Sequence, residues 1–201
     1  MNWADLALHT RAHLVLCSGA LALASALAVP LGVRIAHHDG ARPFVLGVGN
    51  LVRVVPSLAV LTLALPYLGI GVRPALLALT LLAIPPILIN TDVAFRSIAP
   101  GVLDAARGVG MTDAQIVRRV EWPLALPIVF AGVRTAAVEV ISSATLAAFI
   151  GGGGLGEYII NGLALNDIHL LLTGAISVGA LALLADVILG TFQRRLAAGA
   201  Q

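Results

Sequence analysis

Apolar residues in this chain gather into runs of about 20, the length a helix needs to cross a bilayer, and short polar stretches separate them. The first run covers residues 14–33. A second is clearest over 51–69, with 44–50 as an interfacial lead-in. The third covers 74–91 and the fifth 168–189. The fourth, over 124–150, is interrupted by Arg134 and Glu139. Runs of this length predict an all-α polytopic membrane protein with about five transmembrane helices, forming a single domain over 1–201.

Composition sharpens this reading. Hydrophobic residues make up 59% and charged residues 11%, at a mean hydropathy of +1.01, whereas a soluble domain carries about 25% charged residues. The 21 glycines and 10 prolines suit membrane helices, where close backbone approach drives packing and neighbours satisfy broken backbone. Cys17 stands alone in an apolar run, which points to packing rather than redox chemistry. All twelve basic residues are arginine, and a net charge of +2 does not suggest nucleic-acid binding. Their placement matters more. With the N-terminus outside, Arg34, Arg42, Arg96, Arg107, Arg118, Arg119, Arg194 and Arg195 are cytoplasmic, Arg53 and Arg134 sit near inner span ends, and only Arg11 and Arg73 are external. The positive-inside asymmetry predicts N-out, C-in. The run over 14–33 is longer than the roughly 7–15 residues of a signal-peptide core, and its basic cluster follows it, so it reads as a retained span.

The polar island at 96–123, between spans three and four, reads as a helix-turn-helix. Pro100 suits a first helical turn, and Gly110 can take the left-handed conformation that ends a helix. Thr112-Asp113-Ala114-Gln115 is a capping box, with Met111 and Ile116 placed as its hydrophobic staple. Ala114, Val117 and Val120 then recur every three residues, and Pro123 either stops this element or starts the next span. A DNA-binding reading of the same shape is disfavoured by membrane tethers at both ends and few phosphate-contacting groups. A plain connector would not need two capped helices about a glycine elbow. A rigid surface element is what a partner would push on.

Asp104-Ala105-Ala106, three residues, Gly110, nine residues and Val120-Glu121-Trp122-Pro123 resemble the "EAA" loop of ATP-binding-cassette importer permeases. That pattern reads Glu-Ala-Ala, three residues, Gly, nine residues, Ile-x-Leu-Pro. Spacing is kept, while Asp104, Val120 and Trp122 depart from it. Val55-Pro56-Ser57-Leu58-Ala59, Leu68-Gly69-Ile70-Gly71, Leu88-Ile89-Asn90-Thr91, Ala131-Gly132-Val133-Arg134-Thr135-Ala136 and the run from Ala144 to Gly156 are similar to the osmoprotectant subgroup. The similarity extends from about Arg53 to Gly162. It implies a permease domain whose cytoplasmic loop, through Asp104, Ala105, Ala106, Gly110, Ala114, Val117, Val120 and Pro123, docks on a separate ATPase. That ATPase would hold ATP and magnesium, and this chain no cofactor. The resemblance further implies a second permease subunit, identical or paralogous, and a separate solute-binding protein, since only 191–201 follow the last span. The implied solute is glycine betaine, choline or carnitine, with methionine or another small solute as the alternative.

Thr135, Glu139, Ser142 and Ser143 share one face of span four and are candidates for the translocation path, against the alternative of bonding to neighbouring helices. Asp92 is expected to pair with Arg53, Arg96 or another inner-face arginine, and Asp186 with Arg194 or Arg195. Adjacent His37 and His38 read as solvated. Gly151, Gly152, Gly153 and Gly154 read as a flexible external gate or re-entrant turn, because no Lys-Ser/Thr follows that would make them a phosphate cradle. Small residues at Ser18, Ala22 and Ala26, and at Ala175 and Gly179, mark expected helix contacts. Rival functions find less support. A secondary transporter would show internal repeats, and an intramembrane enzyme would show paired Asp, Ser-His or HExxH within spans. A non-transporting scaffold would need only the insertion.

Overall fold

The computed structural model describes residues 3–55 and 57–199. Among these the elements are α1 (Trp3–His37), α2 (Arg42–Val54), α3 (Ser57–Leu68), α4 (Val72–Arg96), α5 (Pro100–Gly108), α6 (Asp113–Ile116), a π turn (Val117–Glu121), α7 (Trp122–Ser143), a 3-10 segment (Ala144–Ile150), α8 (Gly156–Ala164) and α9 (Ile168–Gly199). Four stretches are long and apolar enough to cross a membrane: α1, α4, Asp113–Ile150 and α9. The bent pair α2 plus α3 makes a fifth if its two halves count as one span.

The expected second span therefore breaks. Val55 is extended (φ −72°, ψ 122°), as a residue followed by proline prefers, and α2 and α3 meet at 94°. α4 lies at the centre, packed against α1, α2, α3 and α7, and α9 closes the bundle on α7 and α8. Small residues form the α1–α4 seam: Ala20, Ala24, Ala28 and Gly32 recur every fourth residue and are buried. A Cβ on Gly32 would lie 2.6 Å from the Thr91 Cβ. The expected Ser18, Ala22 and Ala26 face outward instead, as do Ala175 and Gly179. Two small-residue registers coexist on α1, displaced by two residues and hence on opposite faces, and α4 takes the one that includes Gly32. Cys17 is buried where α1 meets α7, its Sγ 4.0 Å from the Val140 carbonyl.

Local chemistry sets the ends. The Asp167 carboxylate accepts from the N–H groups of His169 and Leu170 and so caps α9. α8 lies close under α9, where a Cβ on Gly174 would meet Tyr158 and Ile159 at 2.8–2.9 Å. The buried His13 holds the end of α7, its Nε2 3.0 Å from the Ile141 carbonyl, near the point where the helix tightens into the 3-10 segment.

Candidate functional site

The 96–123 element folds from its own local signals. α5 has Pro at its first turn and closes in a Schellman motif: Gly110 N–H donates to Arg107 O (2.9 Å) and Met111 N–H to Ala106 O (3.2 Å), with Gly110 at φ 83°. Thr112 N–H donates to the Gln115 side chain at 2.9 Å, as the capping box requires. At Pro123 the chain starts the next span rather than stopping. Trp122 N–H reaches back five residues to Val117 O, so a π turn feeds α6 into α7 ahead of a proline that has no N–H to donate. Asp104, Ala105, Gly110, Ala114 and Pro123 are exposed, Val117 and Val120 half-buried, and Ala106 buried with Ile116 inside the elbow. A partner approaching this element would meet the first group.

Trp122 faces inward. Its ring packs edge-on against Phe95 (centroids 5.2 Å apart), which in turn meets His37 (5.8 Å). His37 is not free in solvent as expected: Nε2 lies 2.9 Å from the carboxylate of buried Glu121, and Nδ1 lies 2.8 Å from Val33 O. Arg96 bonds Asp39 at 2.7 Å beside them. The last turn of α1 is thus fastened to the root of the 96–123 element by a pair that sequence reading passed over.

Charges deeper in the bundle pair across helices. Asp92 takes a bidentate contact from Arg42 at 2.8–3.1 Å, rather than from Arg53 or Arg96, the two arginines named for it. Asp186 pairs with Arg134 at 2.7 Å through two bonds, not with Arg194 or Arg195. Arg194 is eight residues on, about 12 Å along the helix, whereas α7 brings Arg134 alongside. Gly190 makes the seat, since a Cβ there would stand 2.9 Å from the Arg134 Cζ. On the candidate path face of α7, Thr135 and Ser142 are exposed and Glu139 and Ser143 half-buried. Thr135 donates to Ala131 O within its own helix. Glu139 faces Arg53 of α2 at 3.6 Å.

The glycine run forms a close-packed turn. Gly151, Gly153 and Gly154 have φ of 69°, 76° and 85°, and Gly152 N–H donates to Ala147 O at 2.8 Å. Gly71 N–H ties the α3–α4 turn to Ile150 O at 2.8 Å. Beyond it, Asp5, His9, Glu157, Tyr158 and Asn161 line a small polar cavity of about 240 Å³. The Tyr158 hydroxyl donates to Asp5 Oδ2 at 2.6 Å; that bond, with burial, pushes the phenol up to about 12. The neutral phenol is the bonded form, so this contact stabilises the fold below the ordinary value of 10 and is lost as pH rises through about 12. Phenolate absorbance should show one tyrosine ionising late, and Asp5→Ala should bring that step back to the ordinary range. An unchanged titration would mean that the contact is not made.

Residues 28–198 match the family described as binding-protein-dependent transport system inner membrane component. The chain is 42% identical over 195 residues to the carnitine transport permease protein OpuCB of Listeria monocytogenes, covering 97% of this chain and 89% of that one. It is 40% identical over 195 residues to the choline transport system permease protein OpuBB of Bacillus subtilis (97% and 90% covered). Identity to the osmoprotectant import permease protein OsmW of Salmonella typhimurium is 42% over 197 residues (96% and 92% covered). In fold it resembles a chain of the inward-facing MetNI methionine ABC transporter, with TM-score 0.83 and 22% identity over 95% of each.

Proposed function

Because the chain belongs to the family of binding-protein-dependent transport system inner membrane components, and so is a multi-pass transport permease of the cytoplasmic membrane, we propose that it carries a quaternary-amine osmoprotectant inward on energy from a separate ATPase. The solute is glycine betaine, choline or carnitine, as the names of its relatives suggest. The partners are ABC ATPase subunits that hold ATP and magnesium, a second permease subunit and a separate solute-binding protein. The chain lies N-out, C-in, which puts the 96–123 element on the ATPase side. That element is the observation that carries the reading: an exposed module, closed by its own caps and rooted in α4 and α7. Asp104, Ala105, Gly110, Ala114 and Pro123 meet the ATPase groove; Ala106, Val117 and Val120 hold the shape behind them. Thr135, Glu139, Ser142 and Ser143 line the path. Gly151 to Gly154, bonded at both ends, act as the pivot of an external gate.

The test is reconstitution of the chain with an ATPase and a binding protein in vesicles. ATP- and binding-protein-dependent uptake of a labelled quaternary amine is expected; uptake of methionine instead, or of nothing, would refute the solute reading. Ala114→Glu sharpens the coupling claim. A carboxylate in the first turn of α6 favours the helix, so the element should keep its shape. ATPase co-purification should nonetheless fall by roughly thirtyfold, the scale of a lost interface hot spot of about 2 kcal/mol. Unchanged association would remove this face from the interface.

A further inference from the structure

Among the described residues three arginine–carboxylate pairs join helices of the bundle, and one is unlike the others. Arg42–Asp92 and Arg134–Asp186 are bidentate, with contacts of 2.7–3.1 Å. Arg53 and Glu139 approach only to 3.6 Å, with side chains 45% and 35% exposed, and neither makes a hydrogen bond to another described residue. The first two are structural clamps. The third is a charge-balanced pair with its donors and acceptors open: a guanidinium has five N–H groups, a carboxylate about four acceptor sites.

Its depth gives the openness meaning. Glu139 is 17 residues beyond Trp122, about 25 Å along α7, and Arg53 is 11 residues beyond Arg42, about 16 Å along α2. Glu139 stands well inside the Asp113–Ile150 stretch, which is long enough to cross a membrane, and Arg53, next to last in α2, meets it beside the break of the bent pair. Half-exposed charges there are costly against acyl chains, so this face meets water or protein. Exposed Thr135 and Ser142 extend the same polar stripe one turn either way.

The pair also selects among solutes. A lone cation drawn to Glu139 would leave Arg53 uncovered, and a lone anion drawn to Arg53 would leave Glu139 uncovered. A small molecule with both charges can exchange for both partners and leave neither unmatched. Its carboxylate fits the planar fork of Arg53. Its quaternary ammonium, which cannot donate a hydrogen bond, needs only the nearby negative charge of Glu139. We propose that Arg53 and Glu139 form a transit site selective for zwitterions, favouring solutes with a quaternary ammonium and a carboxylate over a simple quaternary cation. This rests on the reading of the chain as a quaternary-amine permease, and adds to it a residue, Arg53, and a preference.

The test compares glycine betaine with choline in vesicles holding the complete complex, using one binding protein throughout so that a change in ratio reports on the permease. Arg53→Gln should lower the betaine-to-choline uptake ratio by roughly tenfold or more, the scale of a lost charge-assisted contact. Glu139→Gln should depress uptake of both. If Arg53→Gln fails to assemble, Arg53→Lys, which keeps the charge without the fork, should show a smaller fall in the same ratio. An unchanged ratio in whichever variant assembles overturns the site while leaving the permease reading intact. Uptake of neither solute by the unaltered complex would overturn both.

Discussion

Gly132→Leu is expected to abolish recovery of folded protein from membranes. Gly132 sits where α7 crosses α4, and a Cβ there would lie 2.7 Å from the Asn90 Cβ and 2.8 Å from the Pro86 carbonyl oxygen. That oxygen already accepts the Asn90 side-chain amide at 2.8 Å. Two of the three nearest atoms are backbone, at Pro86 and Ile87, which cannot turn aside as a flexible side chain does. Overpacking a well-filled core typically costs about 1–3 kcal/mol, and helix separation here adds the contacts of the whole α4–α7 seam. Against a total stability of roughly 5–15 kcal/mol, that is enough to lose the bundle. Gly179→Leu is the control, since nothing lies within 4 Å of a Cβ at that position. Size-exclusion profiles of detergent extracts should show a single species for Gly179→Leu and none for Gly132→Leu. A monodisperse Gly132→Leu protein would show that the two helices are not packed this closely.

The second large effect concerns transmission rather than folding. His37→Ala should leave the permease assembled with its ATPase but uncouple hydrolysis from transport. Glu121 is 6% exposed at the root of the 96–123 element, and among the described residues its carboxylate has His37 Nε2 as its side-chain partner. Removing the ring strands a buried acceptor, at a cost of roughly 1–3 kcal/mol, and frees the last turn of α1 from the π turn. It also strips one neighbour from Phe95, against which Trp122 packs. Basal ATP hydrolysis should persist, while its acceleration by solute-loaded binding protein and solute uptake both fall. His37→Gln, which retains a donor, should recover part of the coupling. Full coupling in His37→Ala would reduce the pair to a local brace.

Much of this was legible in the chain because the signals are local. Run length against bilayer thickness located the spans, and caps with a glycine elbow located α5 and α6. Trp122 read only as a departure from the family pattern; the structure turns it inward onto Phe95. The misses share one cause: they depend on how helices stand beside one another. Two small-residue registers on α1 were equally visible, and only the position of α4 chooses between them. Asp186 read as pairing within its own helix because the height of Arg134 on α7 is a tertiary fact. Arg53 and Glu139 are 86 residues apart, and nothing local joins them. The break after Val55 was written in the Val-Pro dipeptide, but the length of the apolar run outweighed it.

That break has a consequence for the surrounding lipid. α2 has 13 residues and α3 has 12, about 20 and 18 Å of helix, while a hydrocarbon layer is about 30 Å thick. Neither piece crosses alone, and at 94° to one another they present less apolar height than α1 or α9, with 35 and 32 residues. Along that flank the bilayer must thin, or another protein surface must replace it. Hydrophobic mismatch is thus built into one side of the molecule, and acyl-chain length becomes a variable to which the bent pair is exposed and the straight helices are not.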